Sequence, residues 1–293
     1  GGRDYGGAHW KEASHLAPPI ASQARLSVLH GIAPGEEAIA SQVGAKPVLN
    51  TPAQVARWRA LGGGLCDVMI DTGMNRLGLA ESDIRKGLLD GLAIDLCMSH
   101  LASADEDSTQ NEKQRARFDA VRGRVSAQRY SLANSAGIML GADYHYDLTR
   151  PGIALYGGVV RPDMADHIKP VVAIEAQLLQ LRDIEAGETV GYGATFTASR
   201  PMRIGCLSLG YADGYPRALS GKGRFTSEGR TLAVLGRVSM DLVCIDLDAA
   251  PDLAEGDWVA CDFDLSDIAA QTGLSQYEAL TNLGQRFERV WRA

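Results

Sequence analysis

The sequence predicts an α/β fold in two parts: a partial TIM-type (β/α)8 barrel over residues 1–165, followed by a mostly antiparallel β-domain over residues 166–293. Three observations carry this reading. Up to about residue 160, short apolar runs alternate with amphipathic stretches, the rhythm of a parallel sheet with helical crossovers. From about residue 168 strand-like runs follow one another across glycine-containing turns. A chain of 293 residues is also long enough to give each part its own core.

In the first part the strand candidates are LSVLH (26–30), PVLN (47–50), LCDVMIDT (65–72), IDLCMSHL (94–101), RYSLAN (129–134) and IALYG (153–157). EEAIASQVG, TPAQVARWRALG, ESDIRKGLL and STQNEKQRARFDAVRGRV lie between them and read as helices. The second of these has Thr51 as N-cap, Pro52 at the first helical position and Gly62 just past the end. Six or seven such units without a dinucleotide fingerprint favour a barrel over an open sheet. A complete eight-unit barrel takes about 250 residues. The roughly 160 residues present leave a unit or more expected at the front. In the second part KPVVAIEAQLLQLRDI, MRIGCLSLG, TLAVLGRVSM, LVCIDLD and DWVACDF read as strands, joined by turns such as EAGE, SGKGR and SEGR. Two short helices, DIAAQTG and SQYEALTNLG, close the chain. Ser275 and Glu278 have capping-box spacing, which puts Tyr277 in the first turn of the second helix.

Charged residues make up 22% and hydrophobic residues 45% of the chain, as in an ordinary soluble globular protein. A net charge of −7, with no Lys/Arg stripe, argues against a nucleic-acid partner. No apolar run is long enough to cross a bilayer. The five cysteines are widely spaced, with no CxxC and no histidine at ligand spacing. This is the pattern of reduced, buried thiols in a cytoplasmic protein, and no metal site is expected. The start, GGRDYGGAHW, has neither a methionine nor a signal-peptide pattern and reads as a fragment's start.

Several motifs place chemistry where α/β folds collect it. IDTGMNRLGL sets Arg76 after a buried strand, either to hold a ligand or to tie down a turn. LANSAG puts Ser135 and free N–H groups at a strand-to-helix turn, as a phosphate cradle or simply as a tight turn. TRPGIALYG supplies Arg150 with the amides of Gly152 and Ile153, and CMSHLASADE puts His100 at a strand end, where a core histidine is equally at home. LSLGYADGYPRALS carries Tyr211 and Asp213. Its two tyrosines and arginine exceed what a turn requires. In GRVSMDLVCIDL, Met240 could be core filler in plain strand. No motif alone fixes a function.

Taken in order, DTGMNRLGL, SHLASADE, NSAG, RPGIALYG, VGYGATF, GYADGYPR and GRVSMD resemble the motif series of bacterial alanine racemase, and YEALTNLGQRFERV resembles that family's C-terminal segment. The likeness runs from about residue 25 to the end. It implies a pyridoxal-phosphate barrel followed by a β-domain, acting as a cytoplasmic homodimer that interconverts L- and D-alanine and supplies D-alanine for peptidoglycan.

By that resemblance Arg76, helped by the N–H of Met240, would hold the substrate carboxylate, a bidentate task suited to a guanidinium. Gly152, Ile153, Ser135 and Tyr277 would bind the cofactor phosphate. Arg150 would face the pyridine nitrogen, which an arginine cannot readily protonate. The ring is then a weaker electron sink, and racemisation is favoured over side reactions. His100 would bridge Arg150 and Tyr211. Tyr211 would act as base on one face of the substrate and a lysine, also the Schiff-base anchor, on the other. The Tyr211 loop and GRVSMD would come from the second subunit.

Three departures from the family pattern stand out. None of Lys11, Lys46, Lys86, Lys113, Lys169 and Lys222 lies in a V-K-A-x-A-Y-G context. Lys11 falls where the family's second strand turns into its helix. The Schiff-base lysine is therefore expected to be absent and the chain as given inactive. Met69 stands where many members carry a carbamylated lysine that steadies the carboxylate-binding arginine. RDYGGAHW has glycines where relatives have bulkier strand residues, so that edge is expected to be poorly packed. Two further readings stay open: a non-catalytic pyridoxal-phosphate-binding homologue and a broad-specificity amino-acid racemase.

Overall fold

The structure, a computed structural model, describes residues 3–20 and 24–292. It divides into two compact units, Gly1–Gly152 and Ile153–Ala293.

In the first unit strands and helices alternate: β1 Asp4–Gly7, α1 Trp10–Ile20, β2 Arg25–Val28, α2 Glu37–Gln42, β3 Lys46–Leu49, α3 Pro52–Ala60, β4 Leu65–Met69, α4 Glu81–Arg85, β5 Ala93–Met98, α5 Thr109–Arg122 and β6 Arg129–Ser131. The six strands pair in parallel and in chain order, the winding of a barrel with its helices as crossovers. α3 begins as its sequence requires: the Thr51 hydroxyl accepts the Gln54 N–H, Pro52 follows, and Gly62 adopts φ +91° beyond the end. β1 leaves Tyr5 exposed, so this edge rests on backbone pairing with β2. The fully buried Trp10, whose Nε1–H donates to the Gly31 carbonyl, anchors the helix that follows.

The expected strand IALYG is instead a 3-10 turn, Ile153–Tyr156. Only Ile153 of its large side chains is buried, Leu155 and Tyr156 are exposed, and the Gly157 N–H closes onto the Ala154 carbonyl. The position beside β6 is taken by residues 147–150. There the Asp147 N–H donates to Tyr130, the Arg150 N–H donates to Ala133, and Asn134 and Arg150 form a parallel bridge.

A layer of charge crosses the amino ends of the strands. Lys46 Nζ bonds Asp67 and Asp95, Arg129 bonds Asp95 and Asp4, and Arg25 bonds Asp4. β1 and β6 are the outer strands of the sheet, and five spacings of about 4.8 Å would hold them roughly 24 Å apart if it were flat. Yet Arg129 Nη2 lies 2.9 Å from Asp4 Oδ1. The sheet must therefore curl into an incomplete barrel. Lys46 and Asp67 are buried, which is tolerable because they are paired.

The second unit contains β7 Ile174–Ile184, β8 Thr189–Val190, β9 Phe196–Thr197, β10 Met202–Leu207, β11 Arg224–Ser227, β12 Arg230–Leu235, β13 Val243–Asp246 and β14 Trp258–Cys261, then α6 Leu265–Thr272 and α7 Gln276–Thr281. Six of these strands close into an antiparallel barrel in the order β10-β13-β12-β11-β14-β7, filled by Leu178, Leu207, Phe225, Leu232 and Ile245 among others. β11, which lies between two predicted turns, escapes notice because Phe225 is its only buried residue. The run TLAVLGRVSM leaves the sheet after Leu235. Gly236 turns at φ +68°, and a Cβ there would lie 2.5 Å from the Val190 carbonyl oxygen. Residues 236–240 are thus loop, not strand.

The charge layer makes the first unit acid-labile. Hydrogen bonding to Arg25 and then Arg129 holds Asp4 well below the usual carboxylate range. Burial works against the charge on Asp95, but Arg129 and Lys46 outweigh it and its pKa is lowered. Both contributions are complete above the unfolded carboxylate pKa of about 4 and are lost as pH falls toward the folded values. Asp67, raised by burial, acts in the opposite sense. Urea unfolding at pH about 7 and about 3 should show a loss of stability in acid that Asp4→Asn flattens. Arg129→Leu should cost about 3 kcal/mol at neutral pH, by leaving two carboxylates short of a partner.

Candidate active site

In the first unit the sequence-predicted groups gather at the carboxyl ends of β4, β5 and β6. The residues after β4 form a loop closed at its base by an Ile70–Leu79 bridge. Asp71 Oδ1 accepts the N–H groups of Gly73, Met74 and Asn75 at 2.8–3.1 Å, which winds the loop tightly. Gly78, at φ +139°, passes so close to Asp71 that a Cβ would lie 2.6 Å from its nitrogen. This folding leaves Arg76 exposed, with no hydrogen bond or ion pair among the described residues. Met69 below it is packed with Val48, Leu96 and Met98 and brings no charge.

Arg150 is held by neutral oxygens: Nη1 donates to Ser131 Oγ, and Nη2 to the carbonyls of Ser99 and Leu132. No carboxylate pairs with it among the described residues. Burial lowers its pKa to about 10, so it is a cation at neutral pH, held among oxygens that cannot neutralise it. His100, half-buried, has its pKa brought down to about 4 by burial and by the positive charges of Arg150 and Arg76. The ring is therefore neutral, and Gln114 Nε2 fixes its backbone by donating to its carbonyl at 2.9 Å. Ser135 is buried, and its Oγ accepts the Gly152 N–H at 2.9 Å, which joins the LANSAG turn to the Arg-Pro-Gly turn. LANSAG leads into a single 3-10 turn, Gly137–Leu140, rather than an α-helix. The far side of Gly152 is open: a Cβ there would meet nothing within 4 Å.

In the second unit Ile153 is buried, and its N–H has no acceptor among the described residues. Tyr277, half-exposed, stands in the first turn of α7, where the Ser275–Glu278 capping box forms as its spacing predicts. Gln276 fixes that turn by bonding both the N–H and the carbonyl of Val159. Tyr211 lies on a 3-10 turn, Tyr211–Asp213, zipped to the Met240 loop: the Tyr211 N–H donates to Ser239 and the Ala212 N–H to Met240. Asp213 accepts the Gly210 N–H, and Arg286 pairs with both Asp213 and Asp241. The Met240 N–H has no acceptor among the described residues, and its side chain is exposed. A cavity of about 430 Å³ opens beside Tyr211, with Arg217, Thr272 and Asn282 on its walls. Gln114, Gln276 and Arg286 were not legible as supports, because amide and guanidinium groups on helices and tails carry no motif of their own.

The parallel curled sheet with a caged, unpaired arginine, followed by an antiparallel barrel, defines a two-domain enzyme of the barrel-plus-β-domain class. Comparison with known proteins makes this specific. The family model of the alanine racemase N-terminal domain matches residues 1–160, and that of the C-terminal domain matches residues 171–291. Alanine racemase of Acidiphilium cryptum is 43% identical over 280 residues, covering 91% of this chain and 78% of that protein. The catabolic alanine racemase of Agrobacterium fabrum is 42% identical over 307 residues, covering 99% and 79%. The crystal structure of alanine racemase from Bartonella henselae, with covalently bound pyridoxal phosphate, superposes with a TM-score of 0.88 at 34% identity, covering 98% of this chain and 84% of that one. The chain belongs to the alanine racemase family.

Two glycines separate fold from site. Gly210→Ala would drive a Cβ to within 2.2 Å of the Met240 carbonyl oxygen. Thermal denaturation should then show a loss of about 2 kcal/mol, within the usual overpacking cost. Gly152→Ala should change stability by less than about 0.5 kcal/mol, since its Cβ enters open space.

Proposed function

We propose that this chain is built to racemise alanine with pyridoxal 5′-phosphate, as a homodimer in which the Tyr211–Met240 loops of one protomer serve the barrel of the other. The observation that carries the reading is Arg150, a cation caged by neutral oxygens with no carboxylate to pair with among the described residues. The donor set fits the cofactor: the Ser135 hydroxyl, the open side of Gly152, the unengaged Ile153 N–H and the Tyr277 phenol suit a phosphate, and a guanidinium suits a ring nitrogen that accepts a hydrogen bond. Pyridoxal phosphate supplies the electron sink that makes an amino-acid Cα–H removable.

The protein's own groups do the rest. Arg76, free at its loop tip, binds the substrate carboxylate with the Met240 N–H of the facing protomer. Arg150 would hold the cofactor's ring nitrogen by a hydrogen bond without giving up its proton, which would keep the electron sink weak. Neutral His100 lies within electrostatic reach of both arginines. Tyr211 removes or delivers the Cα proton on one face. The D-alanine formed is of the class used in peptidoglycan cross-links.

The second face requires an amine, and the chain's lysines do not offer one there. Lys46 is spent on Asp67 and Asp95 at the amino ends of the strands, opposite Arg150. Lys11 is exposed on α1, Lys86 and Lys113 are exposed at α4 and α5, and Lys169 and Lys222 are exposed in the second unit. The chain as given therefore holds the cofactor reversibly and racemises negligibly.

Two experiments test this. Borohydride reduction of the cofactor-loaded chain, followed by peptide mapping, should find no phosphopyridoxyl-lysine, whereas a chain extended with a V-K-A-x-A-Y-G strand should be labelled there and active. Labelling of Lys11 together with turnover would overturn the placement of the anchor. In the extended enzyme, Tyr211→Phe and Arg76→Ala protomers, each nearly inactive, should regain part of the activity when subunits exchange. Absence of complementation would count against a site shared between protomers.

A further inference from the structure

The outer face of the second unit's barrel carries a pair of nucleophiles that the reaction above does not use. Cys206 on β10 and Cys244 on β13 lie opposite each other in the antiparallel register. The kind of pairing follows from a neighbouring bond. The Leu247 N–H donates to the Arg203 carbonyl, so 203/247 is a hydrogen-bonded pair. Pairs alternate along an antiparallel ladder, which makes 205/245 hydrogen-bonded and 204/246 and 206/244 non-hydrogen-bonded. In such a pair the Cα atoms approach to about 4.5 Å, inside the range of about 4.4–6.8 Å that a disulfide spans.

Side-chain direction agrees. A Cβ on Gly205 would press on Leu178 and Leu247 in the barrel interior, so Cys206, one residue on, faces outward. Cys244 packs with Met202, Ile204 and Leu235 in the outer cluster. Both cysteines are half-buried, whereas Cys66, Cys97 and Cys261 are buried and burial raises their thiols. β7 has an extra residue opposite the Cys206–Leu207 step, an irregularity that leaves β10 room to adjust.

We propose that Cys206 and Cys244 form a redox-active dithiol that closes to a cross-strand disulfide under a peroxide oxidant. Cys244 is the attacking thiol, because the hydrogen bond with Cys206 and the nearby Arg182 charge favour its thiolate against the effect of burial. Its thiolate attacks one peroxide oxygen; an S–O bond forms, the O–O bond breaks, and the leaving hydroxide takes the thiol's proton as water. The Cys206 sulfur then attacks the Cys244 sulfur; the S–S bond forms, the S–O bond breaks, and the hydroxyl leaves with the Cys206 proton as a second water. The two thiols supply the two electrons, and a small dithiol reductant reverses the change. The bridge ties together the strand that leads into the Tyr211 turn and the strand that leaves the Met240 loop.

The test is hydrogen peroxide on the purified chain, then denaturing alkylation and peptide mapping. Two of the five thiols should become unreactive, the Cys206 and Cys244 peptides should be joined with loss of two hydrogens, and dithiothreitol should reverse this. In Cys206→Ser, dimedone should trap a sulfenic acid on Cys244 and no bridge should form. The proposal is overturned if both cysteines stay alkylatable once methionines are oxidised, or if either oxidises to a sulfinic acid or pairs elsewhere. The wild-type map alone decides this, should the variant fail to fold. The readout is a mass, so it stands or falls independently of the role assigned to Tyr211.

Discussion

A guanidinium on the last strand of the parallel sheet grips a carboxylate on the first, and the curvature this demands sets where everything else can stand. With Arg129 on Asp4, the strands cannot lie flat. Their carboxyl ends converge, and Ser99, Ser131 and Arg150 come within hydrogen-bonding reach of one another. The amino ends hold a closed set of opposite charges, while the carboxyl ends hold in Arg150 a positive charge that no carboxylate pairs with among the described residues. The first arrangement balances its own charge, and the second surrounds its cation with neutral oxygens.

Much of the fold was legible because local rules and tertiary packing agree. The Thr51–Pro52 start of α3 and the Ser275–Glu278 box of α7 are decided within a few residues, and both formed as read. IALYG misled because its composition suits a strand, while the chain beside β6 is supplied by residues 147–150, which are polar on balance. GRVSM misled for a similar reason: the φ of Gly236 and its closeness to Val190 are invisible in an apolar run. The charge layer was beyond reach. Its members come from every strand of the sheet, and nothing local distinguishes Asp95 or Arg129 from an ordinary strand-end charge.

The site was legible in its members but not in their states. The positions of Arg76 and His100 after strands could be read directly, whereas Arg150 was read only as a turn residue ahead of an expected strand that is a 3-10 turn. The neutrality of His100 follows from its burial, and then from the two arginines whose charges act on it, none of which the sequence shows. The cysteines are a sharper case. Their wide spacing suggested inert buried thiols, yet antiparallel register sets two of them face to face.

The loop that carries Arg76 has one more consequence. Where a carbamylated lysine steadies such an arginine, its posture depends on a group assembled from dissolved carbon dioxide. Met69 cannot carry that group, and it lies in an apolar cluster with Val48, Leu96 and Met98. The three N–H groups gathered by Asp71 shape the loop from within. The backbone that presents Arg76 in this chain is thus set by a carboxylate of its own loop.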